Sequence, residues 1–217
     1  MNKKKKSRLK KVVYYIVMTL LLVVGLGLIF NSQIKSYWIN FQAQEKVESI
    51  TKSEVKKGQQ KKADYNAENV KAISDSSYVE SQQAKKENAI GKITIKDLKI
   101  NLPIFKGLNT ENLTIGAGTM KEDQEMGKGN YTLAGHHMQD PKVLFSPLSK
   151  AKKGQIVEMT DLTHKYKYKI SDVKIVPETE VSVIDDVPGK TELTLVTCAS
   201  GNPGETRRLI VTADLVK

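Results

Sequence analysis

From Val12 to Phe30 the chain reads VVYYIVMTLLLVVGLGLIF, 19 residues without a charged side chain. Wound as a helix, the run spans roughly 28 Å, close to the hydrocarbon thickness of a bilayer. It is predicted to be a transmembrane helix, so everything after it must fold on one side of a membrane. A cleavable signal sequence is the alternative, but its apolar region is usually shorter, and the NSQIKSYW that follows offers no small-x-small cleavage site. The segment is read as an uncleaved signal anchor. Lys3, Lys4, Lys5, Lys6, Arg8, Lys10 and Lys11 precede it, and positive charge beside an apolar helix keeps that end in the cytoplasm. The chain is expected in the cell membrane as a single-pass type II protein with its bulk extracellular. Trp38 is a candidate interfacial anchor.

The same lysines bear on the net charge. A formal +11 would suit a nucleic-acid partner, but the short basic tail supplies much of it, and anionic headgroups account for that tail. No recognition helix or base-stacking motif accompanies it, so no nucleic acid is expected. Residues 1–11 are read as a basic cytoplasmic tail, 12–30 as the anchor, 31–88 as a polar extracytoplasmic stalk and 89–217 as the folded domain. Within the stalk, Phe41 to Asn88 is rich in Lys, Gln, Glu, Ser and Ala, lacks proline, and shows only broken helical spacing at Val70 and Ile73. It reads as a partly helical or disordered spacer.

At Ala89 the texture changes to short alternating runs: IGKITI (90–95), LKINLPIF (98–105), NYTLAG (130–135), GQIVEMT (154–160), KYKYKISDVKIV (165–176), ELTLVTC (192–198) and RLIVTADLV (208–216). Gly, Asn, Asp and Pro separate them, as breakers separate strands. Many short strands without βαβ spacing predict an all-β domain closed into a barrel. Short helices are expected at Thr110 to Leu113 and near Leu144 to Leu148, where SPL suits a proline-started turn.

Cys198 is the one cysteine of the chain, so no intramolecular disulfide explains it. By composition a free cysteine is a buried, inert thiol. Its place changes the weighing: the alternation in ELTLVTC puts Thr194, Val196 and Cys198 on one face, with Cys198 at the strand's end. The turn-rich ASGNPGETR then leads to the next strand-like run, and a hairpin would set Arg208 beside Cys198. A guanidinium there favours a thiolate or stabilises an acyl oxyanion. Neighbouring side chains point to opposite faces, so only one of Arg207 and Arg208 can serve. Of the three histidines, His136 and His137 fall in a loop directly after a strand, whereas His164 reads as a solvated surface residue. Three histidines at this spacing make no zinc site. A cysteine, a histidine and an arginine at strand ends are the components of a Cys/His acyl-transfer site.

YTLAGHH, followed about sixty residues later by TLVTC and then by an arginine opening an apolar strand, resembles the class A sortases. The similarity runs from Ile90 to Val216 through IGKITI, LPIFKG, GLNTENLTIGAG, LFSPLS and RLIVTADL. It implies an eight-stranded sortase-type β-barrel on a Gram-positive cell surface, the catalytic domain being residues 89–217. By motif, the family's catalytic residues fall on His136, Cys198 and Arg208, and its substrate groove on Ala134, Val183, Ile184, Thr194 and Val196. The implied reaction is transpeptidation: cleavage of an LPxTG-type sorting signal between Thr and Gly through a thioacyl intermediate, then transfer to an amino group of a lipid II-type peptidoglycan precursor. Some members of the family bind calcium. Here the corresponding positions hold Lys121, Gln124 and Lys128; a hard dication needs several oxygen ligands, preferably anionic, and two ammonium groups oppose it, so no cofactor or metal is expected, and Glu122, Asp123 and Glu125 read as a solvated acidic turn. The absence of a second apolar segment and of an aromatic DP-type motif before the barrel resembles class A more than the pilus-building class C.

Two other readings fit the same residues. A cysteine hydrolase would use the same residues with water as acceptor. A wall-binding membrane protein would keep Cys198 buried and idle. A free thiol and a free imidazole titrate near about 8.5 and 6.5, so the resting charge of the pair depends on the folded site.

Overall fold

The computed structural model describes residues 3–70, 77–84 and 87–216, so Ile73 and the first two residues of the basic tail lie outside the described residues. Two compact units divide the chain, Met1–Tyr37 and Trp38–Lys217. The first is dominated by helix α1 (Lys3–Ile29). Within it Lys10–Ile29 has a mean hydropathy of 2.6 and buries none of its side chains in the protein, so it is long and apolar enough to cross a membrane.

Helices α2 (Asn31–Ser49), α3 (Lys52–Gln60) and α4 (Ser77–Ala84) occupy much of the segment read as a stalk. From Trp38 onward this segment belongs to the same compact unit as the barrel. Ile39, Ala43, Ile50, Val55 and Ala84 join the barrel's own hydrophobic cluster. Ile39, Ala43, Val47 and Ile50 recur at helical spacing and are all buried. Thr51 caps α3 by accepting from the Glu54 amide, and Glu54 pairs with the buried Lys46 and accepts from the Ala89 amide. Gln44 exchanges hydrogen bonds with Asn101.

Eight strands close into the barrel: β1 (Gly91–Ile95), β2 (Ile100–Phe105), β3 (Ala117–Thr119), β4 (Asn130–Ala134), β5 (Ile156–Thr160), β6 (Lys165–Pro177), β7 (Glu192–Cys198) and β8 (Arg207–Leu215). Their order around the wall is β1-β2-β3-β4-β7-β8-β6-β5, with β5 returning to β1. The pairs β2/β3 and β4/β7 are parallel and the rest antiparallel. Alternate residues fill the interior, among them Ile93, Ile95, Ile104, Leu133, Met159, Tyr168, Leu193 and Leu195, all essentially inaccessible. Helix α5 (Thr110–Leu113) and a 3-10 turn at Ser146–Lys150 stand where short helices are expected.

The seven expected runs all form strands, and β3 is the strand the alternation did not indicate. Its three residues are too few to display a period. Backbone contact holds it in place: a Cβ on Gly118 would lie 2.2 Å from the Gly107 carbonyl oxygen, so only glycine allows the chain through at that point.

Candidate active site

Two neighbouring parallel strands deliver the candidate chemistry to one end of the barrel. Ala134, the last residue of β4, pairs with Val196 of β7, and two residues further along each chain stand His136 and Cys198. The register continues past the ladder. The Gly135 amide donates to the Val196 carbonyl at 3.1 Å, and the Thr197 hydroxyl donates to the Gly135 carbonyl at 2.7 Å. Gly135 itself allows close packing, since a Cβ there would sit 2.7 Å from the Phe145 ring. The Phe145 amide in turn donates to the His136 carbonyl, so the chain around this histidine is fastened on both sides.

Cys198 is half-buried and carries a free thiol. Its own carbonyl accepts from His137 Nδ1 at 2.7 Å, which requires the proton of His137 to sit on Nδ1. The two adjacent histidines are therefore engaged differently. His137 holds the backbone of β7 at Cys198, while His136 Nε2 is buried without a hydrogen-bond partner. Burial without a compensating charge lowers the His136 pKa to about 4, because a desolvated imidazolium is disfavoured. At neutral pH His136 is an uncharged imidazole.

Across the hairpin, Cys198 pairs with Arg208, as the sequence predicts. The Arg208 guanidinium donates through Nη2 to Glu178 Oε2 at 2.6 Å and through Nη1 to the Glu205 and Arg207 carbonyls. Arg207 is turned to solvent and fully engaged with Glu205, Nε to Oε1 at 2.9 Å and Nη2 to Oε2 at 3.0 Å. That guanidinium, together with the Ser200 hydroxyl, holds the Glu205 carboxyl down at about 2.

Two of the expected groove residues, Thr194 and Val183, are linked through Asn130, a residue the sequence did not single out. Thr194 is buried and its hydroxyl donates to Asn130 Oδ1 at 2.8 Å. The Asn130 amide nitrogen donates to the carbonyls of Val183 and Asp185 at 3.2 and 3.0 Å. One buried amide thus ties β4, β7 and the Val183–Asp185 segment together, at the Asn130 end of β4. At this same end of β4, away from His136, an open cleft of about 370 Å³ is lined by Lys121, Glu122, Asp123, Gln124, Glu125, Lys128, Asn130 and Asp186 among others. Lys121 Nζ pairs with Asp186 Oδ1 at 2.6 Å, and Asp186 also accepts from the Asn130 amide at 3.0 Å. Lys128 pairs with Glu125.

Comparison with known proteins bears on the barrel as a whole. Residues 93–216 match the family model described as a sortase domain. Sortase A of Streptococcus agalactiae is 44% identical over 224 residues, covering 100% of this chain and 90% of its own. Sortase A of Listeria monocytogenes is 40% identical over 91% of this chain and 89% of its own. A crystal structure of the Listeria enzyme superposes with a TM-score of 0.57 at 46% identity, covering 59% of this chain and 88% of that one.

Proposed function

The chain belongs to the sortase family, as a class A sortase and a cysteine transpeptidase of cell-wall sorting, and we propose that Cys198, His136 and Arg208 carry out its reaction. The observation that supports this assignment is the double register: β7 sets Cys198 level with His136 through β4 on one side and opposite Arg208 of β8 on the other. The substrate is an LPxTG-type sorting signal on a surface protein. Cys198 sulfur attacks the Thr carbonyl carbon and the Thr–Gly bond breaks, leaving a thioester. Because His136 rests neutral, the proton it hands to the departing Gly amine is the one it receives from the Cys198 thiol. An amino group of a peptidoglycan precursor then attacks the thioester, loses a proton to His136, and the thiol is restored as that proton returns to sulfur. Arg208 stabilises the oxyanion of each tetrahedral intermediate.

The floor of the groove is built from Ala134, Thr194 and Val196 and its wall from Val183 and Ile184. Since Thr194 is buried and its hydroxyl is committed to Asn130, its contribution there is to support the floor from beneath. The anchor places the catalytic domain outside the cell and the lysine-rich tail within, as a single-pass type II protein. Activity is independent of calcium. In support, Lys121 bridges to Asp186 with an ammonium in the acidic cleft, and a dication brought among two ammonium groups is repelled. The decisive experiment is Cys198→Ala: loss of LPxTG-peptide cleavage with the fold retained supports the assignment, and full activity refutes it. Product analysis with and without an added amine distinguishes transpeptidation from hydrolysis.

A further inference from the structure

Arg208 lies on β8 between two neighbouring strands, opposite Cys198 on β7 and opposite Val176 on β6. Its guanidinium engages the β6 side and its own loop. Nη2 donates to Glu178 Oε2 at 2.6 Å, Nη1 donates to the carbonyls of Glu205 at 2.9 Å and Arg207 at 3.2 Å, and none of these bonds involves Cys198. Glu178 is held in place by the sheet. Its amide donates to the Thr206 carbonyl at 2.8 Å, extending the β6/β8 pairing one step past Pro177 and Arg207. The Glu205 carboxylate is already filled by Arg207 and Ser200. Among the described residues, Glu178 is the carboxylate paired with Arg208.

Resting on the assignment of Arg208 to the oxyanion, we infer that Glu178 is a positioning residue of the transpeptidation, one that keeps the guanidinium off the nucleophile until substrate displaces it. Glu178 holds the guanidinium toward β6, so the pair must loosen in each turnover before Arg208 can turn toward the reacting carbonyl. The carboxylate also offsets the guanidinium's charge, which weakens the field that Arg208 exerts at Cys198. Both effects slow the reaction relative to an enzyme whose arginine is unpaired. The side chains are 28% and 45% exposed, and an ion pair so open to solvent is worth a factor of about two to five.

The test compares the full-length chain in detergent micelles with Glu178→Gln, Arg208→Ala and the double variant, reading kcat/KM for an LPxTG peptide at low and high salt. Glu178→Gln is expected to raise kcat/KM about two- to fivefold at low salt. Salt should lift the wild type toward that value and leave Glu178→Gln flat, and adding Glu178→Gln to Arg208→Ala should change nothing. If Arg208→Ala cripples turnover but Glu178→Gln equals the wild type or is slower, Glu178 is idle or supports Arg208, and the inference is overturned. If Arg208→Ala retains wild-type turnover, the arginine assignment itself fails and takes the inference with it.

Discussion

His136 links the chemistry of the site to the stability of the barrel. Its pKa lies at about 4 in the folded protein through burial, against roughly 6.5 for a solvated imidazole. Between those values the unfolded chain binds a proton that the folded chain does not, so stability rises with pH across the window and is lost as pH falls. Worked through the linkage relation, the loss from this one group is negligible near pH 7, about 2 kcal/mol by pH 5 and about 3 kcal/mol by pH 4. Carboxylates held by hydrogen bonds, such as Asp161 and Asp186, also make the fold acid-sensitive, but they are common to wild type and variant. Urea unfolding of the wild type and His136→Gln from pH 7.5 to 4 isolates the histidine: the stability difference should shift by about 2 kcal/mol in favour of the glutamine variant between pH 7 and pH 5. Parallel curves for the two proteins, or an NMR titration of His136 centred near the free-imidazole value, would refute the neutral resting imidazole. The proton path from Cys198 through His136 would then need redrawing.

Other perturbations probe the scaffold and the cleft. Asn130→Ala removes the acceptor of the buried Thr194 hydroxyl and the side-chain ties to the Val183 and Asp185 carbonyls; a loss of about 1–3 kcal/mol in unfolding free energy, with KM raised more than kcat is lowered, is expected in denaturation and peptide kinetics. Gly118→Ala forces a methyl group against the Gly107 carbonyl and should cost about 2–3 kcal/mol by thermal or chemical denaturation. Added calcium or a chelator should leave wild-type kcat/KM unchanged, and activation by calcium would show that the Lys121–Asp186 bridge yields to the ion.

Where side-chain alternation sets the structure, the sequence is a sufficient guide. ELTLVTC, bounded by Thr191 and the ASGNPG turn, forms β7 over those same residues, and the hairpin it predicts does pair Cys198 with Arg208. Features that depend on long-range partners were not legible. Nothing local marks Glu178, 30 residues from Arg208, as the carboxylate that meets the guanidinium. Asn130 reads as an ordinary polar residue opening a strand, and its bonds to Val183 and Thr194 cross 53 and 64 residues. His136 and His137 are adjacent and chemically identical in the sequence. Only the fold gives one a carbonyl to bind and leaves the other's Nε2 without a partner.

The segment read as a stalk shows how a helix can escape a pattern search and still belong to the core. Its buried stripe is narrow, with Ile39, Ala43, Val47 and Ile50 at helical spacing, and polar residues interrupt it because Gln42 and Lys46 are buried too. Buried polar residues in a helix ordinarily argue against packing, since each must find a partner. Here the partners come from elsewhere in the chain: Gln42 bonds to Ser81 of α4, and Lys46 meets Glu54 of α3, whose carboxylate also takes the Ala89 amide just ahead of β1. A lysine and a glutamate that read as solvated stalk charges thus join α2, α3 and the start of the barrel. The region from Trp38 onward is therefore part of the catalytic unit as well as its connection to the anchor.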